Sequence, residues 1–215
     1  MYKAVIFDMD GVICHTNPWH SKAFDVFFQK RGLFPSEEEY NRHMHGKNNG
    51  YIFSHFLGRK IKGQELMDFE NEKEGLFREL YADHVQCVDG FLEFFHWIKL
   101  QNVPIGVATS APTANREMIL GKLGIESDFS SLLASEDVSK HKPDPEVYLK
   151  SAQNLGVDPK DCLVFEDSFS GMTAAKRAEM DVVGVLTTHE KKDLPRCDYF
   201  INTYNDELIN WYKSK

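Results

Sequence analysis

Apolar and β-branched residues gather in five short runs along the chain, at 3–7, 104–109, 162–166, 182–186 and 199–201. None is long enough for a helix, and none alternates strictly with polar residues. Each therefore predicts a strand buried on both faces, as in a parallel sheet. Between the later runs the spacing becomes that of helices. Phe91, Phe94, Phe95 and Ile98 form one apolar stripe, and Val147, Tyr148, Ser151, Ala152 and Leu155 form another. Asp144 as N-cap, Pro145 at the first helical position and Gly156 past the last apolar residue mark the ends of the second helix. Strands alternating with helices predict an α/β fold, a doubly wound parallel sheet built from residues 1–16 and 87–215.

The stretch 17–86 has a different pattern. No run in it reads as a strand, and helical spacing covers 19–31, 36–45, 51–57 and 64–85. Ser36 with Glu39 three residues later is a capping box, and Leu66, Phe69, Leu76 and Leu80 give the last helix an apolar face. Trp19, Phe24, Phe27 and Phe28 are expected to be core rather than a ligand cage. The pattern predicts an all-helical cap inserted directly after the first strand, over the carboxyl end of the sheet where such folds bind ligands, and able to act as a lid.

Composition narrows the function. With 215 residues, 42% of them hydrophobic, the chain holds enough apolar surface for a core with a substantial insertion. A net charge of −8 argues against nucleic-acid or anionic-membrane partners, which need a broad basic face. The first run begins almost at Met1 and no apolar run approaches the roughly 20 residues of a membrane span, so neither a signal peptide nor an anchor is expected. Cys14, Cys87, Cys162 and Cys197 lie far apart without zinc-ligand spacing and are expected as reduced thiols. A cytoplasmic monomer is expected.

The chemistry lies where the first three runs end. Asp8 and Asp10 come after the first, Thr109 and Ser110 after the second, and Glu166, Asp167 and Ser168 after the third. In a doubly wound sheet these positions converge on one edge, which Lys142, at the entrance to the helix that Asp144 caps, is also expected to reach. Carboxylates, hydroxyls and one amine suit a magnesium ion and a phosphate. An ionised Asp8 is a competent nucleophile toward phosphorus once its repulsion from the dianion is screened. Asp10, brought round by a turn that Gly11 permits, would protonate the leaving oxygen and then take a proton from water.

These motifs, "DMDGV", "ATSA", "HKPDPEVY" and "FEDSFSG" in that order, resemble the four motifs of the haloacid dehalogenase-like (HAD) phosphatase superfamily over essentially the whole chain. The helical cap after the first strand resembles the subgroup of β-phosphoglucomutase and small sugar-phosphate phosphatases. The resemblance implies Asp8 as nucleophile and Asp10 as acid/base. It places Mg2+ among Asp8, the Asp10 carbonyl, Glu166 and Asp167, with Ser110 and Lys142 holding the phosphoryl group. The dehalogenase branch lacks an aspartate at the Asp10 position, so a phosphoryl-transfer enzyme is implied.

Thr16 and His20, where the chain enters the cap, are candidates to orient Asp10. His45, Lys47 and Asn49 are candidates to contact substrate. In β-phosphoglucomutases a basic residue before a glycine and an arginine three residues after it grip a second phosphate. The corresponding stretch here, "HMHGKNNGY", has His45 and Asn49 at those places. Neutral Asn49 cannot replace a bidentate charged contact. The expected function is therefore a Mg2+-dependent phosphatase of a small phosphorylated metabolite such as a sugar phosphate, working through an aspartyl-phosphate. β-Phosphoglucomutase is the alternative. A receiver-type signalling domain uses similar groups, but its phosphorylated aspartate lies on a later strand.

Overall fold

A computed structural model describes residues 2–44 and 49–215. The chain divides into two compact units, Met1–Thr16 with Val85–Lys215, and Asn17–His84. The first contains a six-stranded parallel sheet: β1 (Ala4–Phe7), β2 (Ile105–Ala108), β3 (Ser131–Leu133), β4 (Cys162–Glu166), β5 (Asp181–Val185) and β6 (Tyr199–Ile201), in the order β3-β2-β1-β4-β5-β6. The order reverses between β1 and β4, which lie side by side in register, Phe7 opposite Phe165. Such a switch point opens a crevice at the carboxyl ends of the strands.

Alternate residues of each strand serve opposite faces. Ala4, Ile6, Cys162, Val164 and Val182 join one core cluster with Val147, Tyr148 and Ala152 of α7 (Glu146–Leu155) and Met172, Ala174 and Ala175 of α8 (Phe169–Arg177). On the other face Phe7 stacks on Phe165 at 4.9 Å and meets Phe91 of α5 (Phe91–Leu100) edge-on at 5.3 Å. Each fully buried ring contributes about 2–3 kcal/mol of transfer free energy. The doubly wound α/β architecture expected from the strand runs is borne out.

Several details differ from the expectations drawn from the sequence; the first helix of the insertion, for example, spans Asn17–Gln29 rather than 19–31. Strand β3 is absent from those expectations, because three residues are too few to show a period. Helix α7 starts one residue later than anticipated, with Pro145 in the N-cap place. Asp144 still caps it, its carboxylate accepting the Glu146 N–H at 3.1 Å. The last helix of the insertion ends at Tyr81, not 85.

The second unit contains α1 (Asn17–Gln29), α2 (Glu37–His43), α3 (Asn49–Phe56) and α4 (Gln64–Tyr81). Its core is aromatic: Phe24, Phe27 and Phe28 are buried, and Phe27 meets Phe53 at 4.8 Å and Phe69 at 5.2 Å. Arg31 donates to both carboxylate oxygens of Glu72, at 2.6 and 3.1 Å, joining α1 to α4. The capping box at Ser36 is formed on both sides. The buried face of α4 includes two charged residues, Lys73 and Glu74, beside Leu76 and Phe77. Helices α6 (Thr113–Leu123) and α9 (Asp206–Lys213) belong to the first unit. Among the described residues no helix is long and apolar enough to cross a membrane.

Candidate active site

Because β1 and β4 run in register, Asp8 at the end of one strand and Glu166 at the end of the other emerge side by side. Lys142, ahead of α7, donates to Asp8 Oδ1 and to Glu166 Oε1, both at 2.6 Å, and to the Ala108 carbonyl oxygen at 3.0 Å. Its three N–H donors are thereby used. All three side chains are withdrawn from water, with exposures of 4% for Lys142, 9% for Asp8 and 1% for Glu166.

Glu166 is also saturated. Its Oε1 accepts from Tyr148 Oη at 2.7 Å as well as from Lys142. Its Oε2 accepts from the backbone N–H groups of Asp167 and Ser168, both at 3.1 Å, and from Ser168 Oγ at 2.9 Å. Ser168 Oγ accepts in turn from Gly171 N–H, capping α8. Although burial opposes its charge, Lys142 and these donors hold the Glu166 carboxyl below the usual range. Burial likewise opposes the charge of Lys142, yet Asp8 and Glu166 keep its ammonium well above the ordinary lysine range.

Asp8 and Asp167 behave in the opposite way. Burial, with the charges of Glu166 and Asp10 adding, pushes the Asp8 carboxyl up to about 7 against the pull of Lys142. Burial, Glu166 and Asp8 raise Asp167 well above its usual value, although Thr188 donates to its Oδ2. Of the four carboxyl groups that influence one another here, Asp8, Asp10, Glu166 and Asp167, only Asp8 and Glu166 are paired with Lys142. Such an excess of negative charge fits a divalent cation, and oxygen donors fit a hard one.

Among the described residues no group of three carboxylates, imidazoles or thiols forms a ready-made metal cage. Mg2+ does not need one, since it binds through one or two carboxylates and keeps places for water and phosphate. Asp8 and Asp167 are the carboxylates that fit it. Glu166, expected as a ligand, does not, because both its oxygens are already occupied by donors.

The turn after Asp8 depends on Gly11, whose φ is +72° and whose Cα faces the Asp167 carboxylate closely enough to exclude a Cβ. Thr187 Oγ1 donates to the Gly11 carbonyl oxygen, holding the turn. Gly171 is as tightly confined, since a Cβ there would enter the Glu166 carboxylate. Gly171→Ala is expected to displace Glu166 from Lys142, lowering turnover at least about tenfold and stability by about 1–3 kcal/mol, the usual cost of overpacking. Parallel kinetics and urea unfolding measure both.

The structure thus brings together Asp8, Lys142, Glu166 and Asp167, with Asp10 on the same turn as Asp8. Ser110 lies just past β2 with its side chain exposed. Thr16 is buried at the end of the first segment of the α/β unit. His20 belongs to the helical unit, where Lys73 Nζ donates to its Nδ1 at 2.8 Å and its ring stacks on Phe77. Asn49 opens α3. His45 and Lys47 lie outside the described residues. Sequence reasoning misses Tyr148, which reads as packing, and Thr187 and Thr188. These threonines come after β5 in "GVLTTHE", and the strand-end criterion applied to the first three runs would find them.

The sequence pattern of the haloacid dehalogenase-like hydrolases matches residues 5–185. A phosphorylated carbohydrates phosphatase of Thermotoga maritima is 32% identical over 98% of this chain and 98% of its own length. The beta-phosphoglucomutase of Bacillus subtilis is 32% identical over 85% of this chain and 83% of its own. Among solved structures, a HAD hydrolase of family IA, variant 3, from Entamoeba histolytica superposes with a TM-score of 0.89 at 27% identity, covering 98% of this chain and 99% of that one. Together with the sheet order and the four motifs meeting at its switch point, these matches establish that the chain belongs to the haloacid dehalogenase-like hydrolase family, as an enzyme of its phosphatase type.

Proposed function

We propose that this chain is a Mg2+-dependent phosphatase of a small phosphorylated metabolite, a sugar phosphate by class, acting through an aspartyl-phosphate on Asp8. The observation that carries the reading is the buried Asp8 carboxylate at the end of the central strand, paired with Lys142 at 2.6 Å. The relative named for phosphorylated carbohydrates supports the substrate class.

An Asp8 carboxylate oxygen forms a bond to phosphorus as the bond to the leaving oxygen breaks, and Asp10 gives that oxygen a proton. Asp10 then removes a proton from the water that attacks the phosphoaspartate, releasing phosphate and restoring Asp8. Lys142 favours the ionised form of Asp8 against its burial and orients it, and Ser110 hydrogen-bonds the phosphoryl oxygens. Asp8, Asp167 and the Asp10 carbonyl would hold Mg2+, which would supply positive charge to the transferring group. Glu166 acts through Lys142 as a positioning residue.

Because Asp8 and Asp167 must lose protons to take a cation, metal affinity is expected to rise with pH. The apparent Kd for Mg2+ should be at least about tenfold tighter at pH 8 than at pH 6, with proton release seen by calorimetry in buffers of different ionisation enthalpy. Equal affinity at both values would remove Asp8 and Asp167 from the ligand set.

The assay for the function is Mg2+-dependent phosphate release across sugar phosphates, nucleotides and pyrophosphate. Release with one preferred sugar phosphate is the expected result. The second reading, β-phosphoglucomutase, draws on the similarity to the Bacillus subtilis enzyme and is opposed by Asn49. Isomerisation of β-glucose 1-phosphate without net release would establish it instead.

A further inference from the structure

Cys14 and Cys87 are remote in sequence and adjacent in the fold. Cys14 lies two residues before the chain leaves the α/β unit for the helical insertion, and Cys87 two residues after the first residue of its return. There the two segments pair antiparallel, Cys14 directly opposite Cys87. The hydrogen bonds fix the kind of pair. His15 N–H donates to the Gln86 carbonyl oxygen at 3.1 Å, and Val88 N–H donates to that of Ile13 at 2.9 Å. Both bonds belong to flanking residues, so the cysteines occupy a non-hydrogen-bonded site, where Cα atoms lie about 4.5 Å apart and side chains stand closest. That separation falls within the range a disulfide spans, about 4.4–6.8 Å.

Neither cysteine is in a disulfide, Cys14 is buried and Cys87 is half-exposed. We propose that Cys14 and Cys87 form a redox-active dithiol that closes to a disulfide on exchange with a low-molecular-weight disulfide such as oxidised glutathione. Cys87, the accessible thiol, loses its proton to water and its sulfur attacks one sulfur of the oxidant. The oxidant's S–S bond breaks and one glutathione thiolate leaves. Cys14, deprotonated in turn, attacks Cys87 Sγ and expels the second glutathione. Two protein thiols are oxidised and one oxidant disulfide is reduced to two thiols.

The environments of the four cysteines support this division. A hydrogen bond from Cys14 lowers the Cys87 thiol, outweighing its burial. Burial pushes Cys162 up to about 12 and also raises Cys197. Thiolate character is what exchange requires, so the latter two are internal controls. The Cys14 carbonyl oxygen accepts the Gly11 N–H at 2.8 Å, which places the new bond against the turn that carries Asp10.

The test equilibrates the intact protein with oxidised glutathione, alkylates the remaining thiols and maps the peptides by mass. The expected result is a Cys14–Cys87 linked peptide pair about 2 Da lighter than its reduced components, reversed by dithiothreitol, with Cys162 and Cys197 alkylated. Cys14→Ala should instead retain one glutathione on Cys87. Wild-type protein in which Cys87 keeps its glutathione, or in which all four cysteines remain alkylatable, would overturn the proposal.

Discussion

Asp8→Asn is expected to reduce Mg2+-dependent phosphate release by at least about 10⁴-fold, the scale on which loss of a nucleophile lowers kcat. The change swaps one oxygen for an amide nitrogen and leaves size and strand unchanged, so the loss would not come from unfolding. Stability should move the other way. Wild-type Lys142 is shared between Asp8 and Glu166, and burial disfavours the Asp8 charge. Asparagine removes that charge and leaves Lys142 to Glu166, so the metal-free variant should melt at or above the wild-type temperature. Phosphate release and thermal unfolding of the same preparation separate the two effects. Turnover within tenfold of wild type would refute covalent attack by Asp8.

The second large effect is expected at Lys142. Lys142→Met keeps the length of the side chain but leaves Asp8 and Glu166 without their shared cation in a site with almost no access to water. Removing one partner of a buried ion pair costs about 3–5 kcal/mol, and urea unfolding at pH 8 should show a loss of that size. The loss should shrink as pH falls. Burial already raises Asp8 and, with the cation gone, is expected to hold it above its unfolded value, so the folded state should bind more protons than the unfolded one. Stability is then retained below the unfolded pKa and lost as pH rises through the folded one. Activity should be abolished throughout that range. A variant as stable as wild type at pH 8 would show that the lysine is not what makes the buried carboxylates tolerable.

Much of the site is legible in the sequence because strands buried on both faces end abruptly, and the polar residues just past their carboxyl ends converge at the crevice. Asp8, Glu166 and Asp167, which the structure brings together, are picked out that way, as are Asp10 and Ser110 as candidates. The distribution of hydrogen bonds is not contained in the linear pattern. Glu166 reads as one more acidic ligand, and only the donors around it, Lys142, Tyr148, Ser168 and two backbone N–H groups, show that its acceptor capacity is spent. Nor does the linear pattern show that Lys73 and Glu74 lie on the buried face of α4, where Lys73 pairs with His20 and with Glu74. Cys14 and Cys87 look unrelated because an entire helical unit intervenes between them. Distance along the chain says nothing about neighbours across an insertion.

The pairing of β1 with β4 makes catalysis a reporter of correct assembly. Asp8 and Glu166 reach Lys142 together only when Phe7 stands opposite Phe165. A slip of one residue would send β1 side chains to the wrong faces while preserving most of the helix content. These partners are far apart in the chain, whereas helices rest on local contacts, and non-local pairing is the slower event. During refolding, enzymatic activity should therefore return later than the circular dichroism of helices. The interval between the two signals times the moment at which the central strands find their alignment.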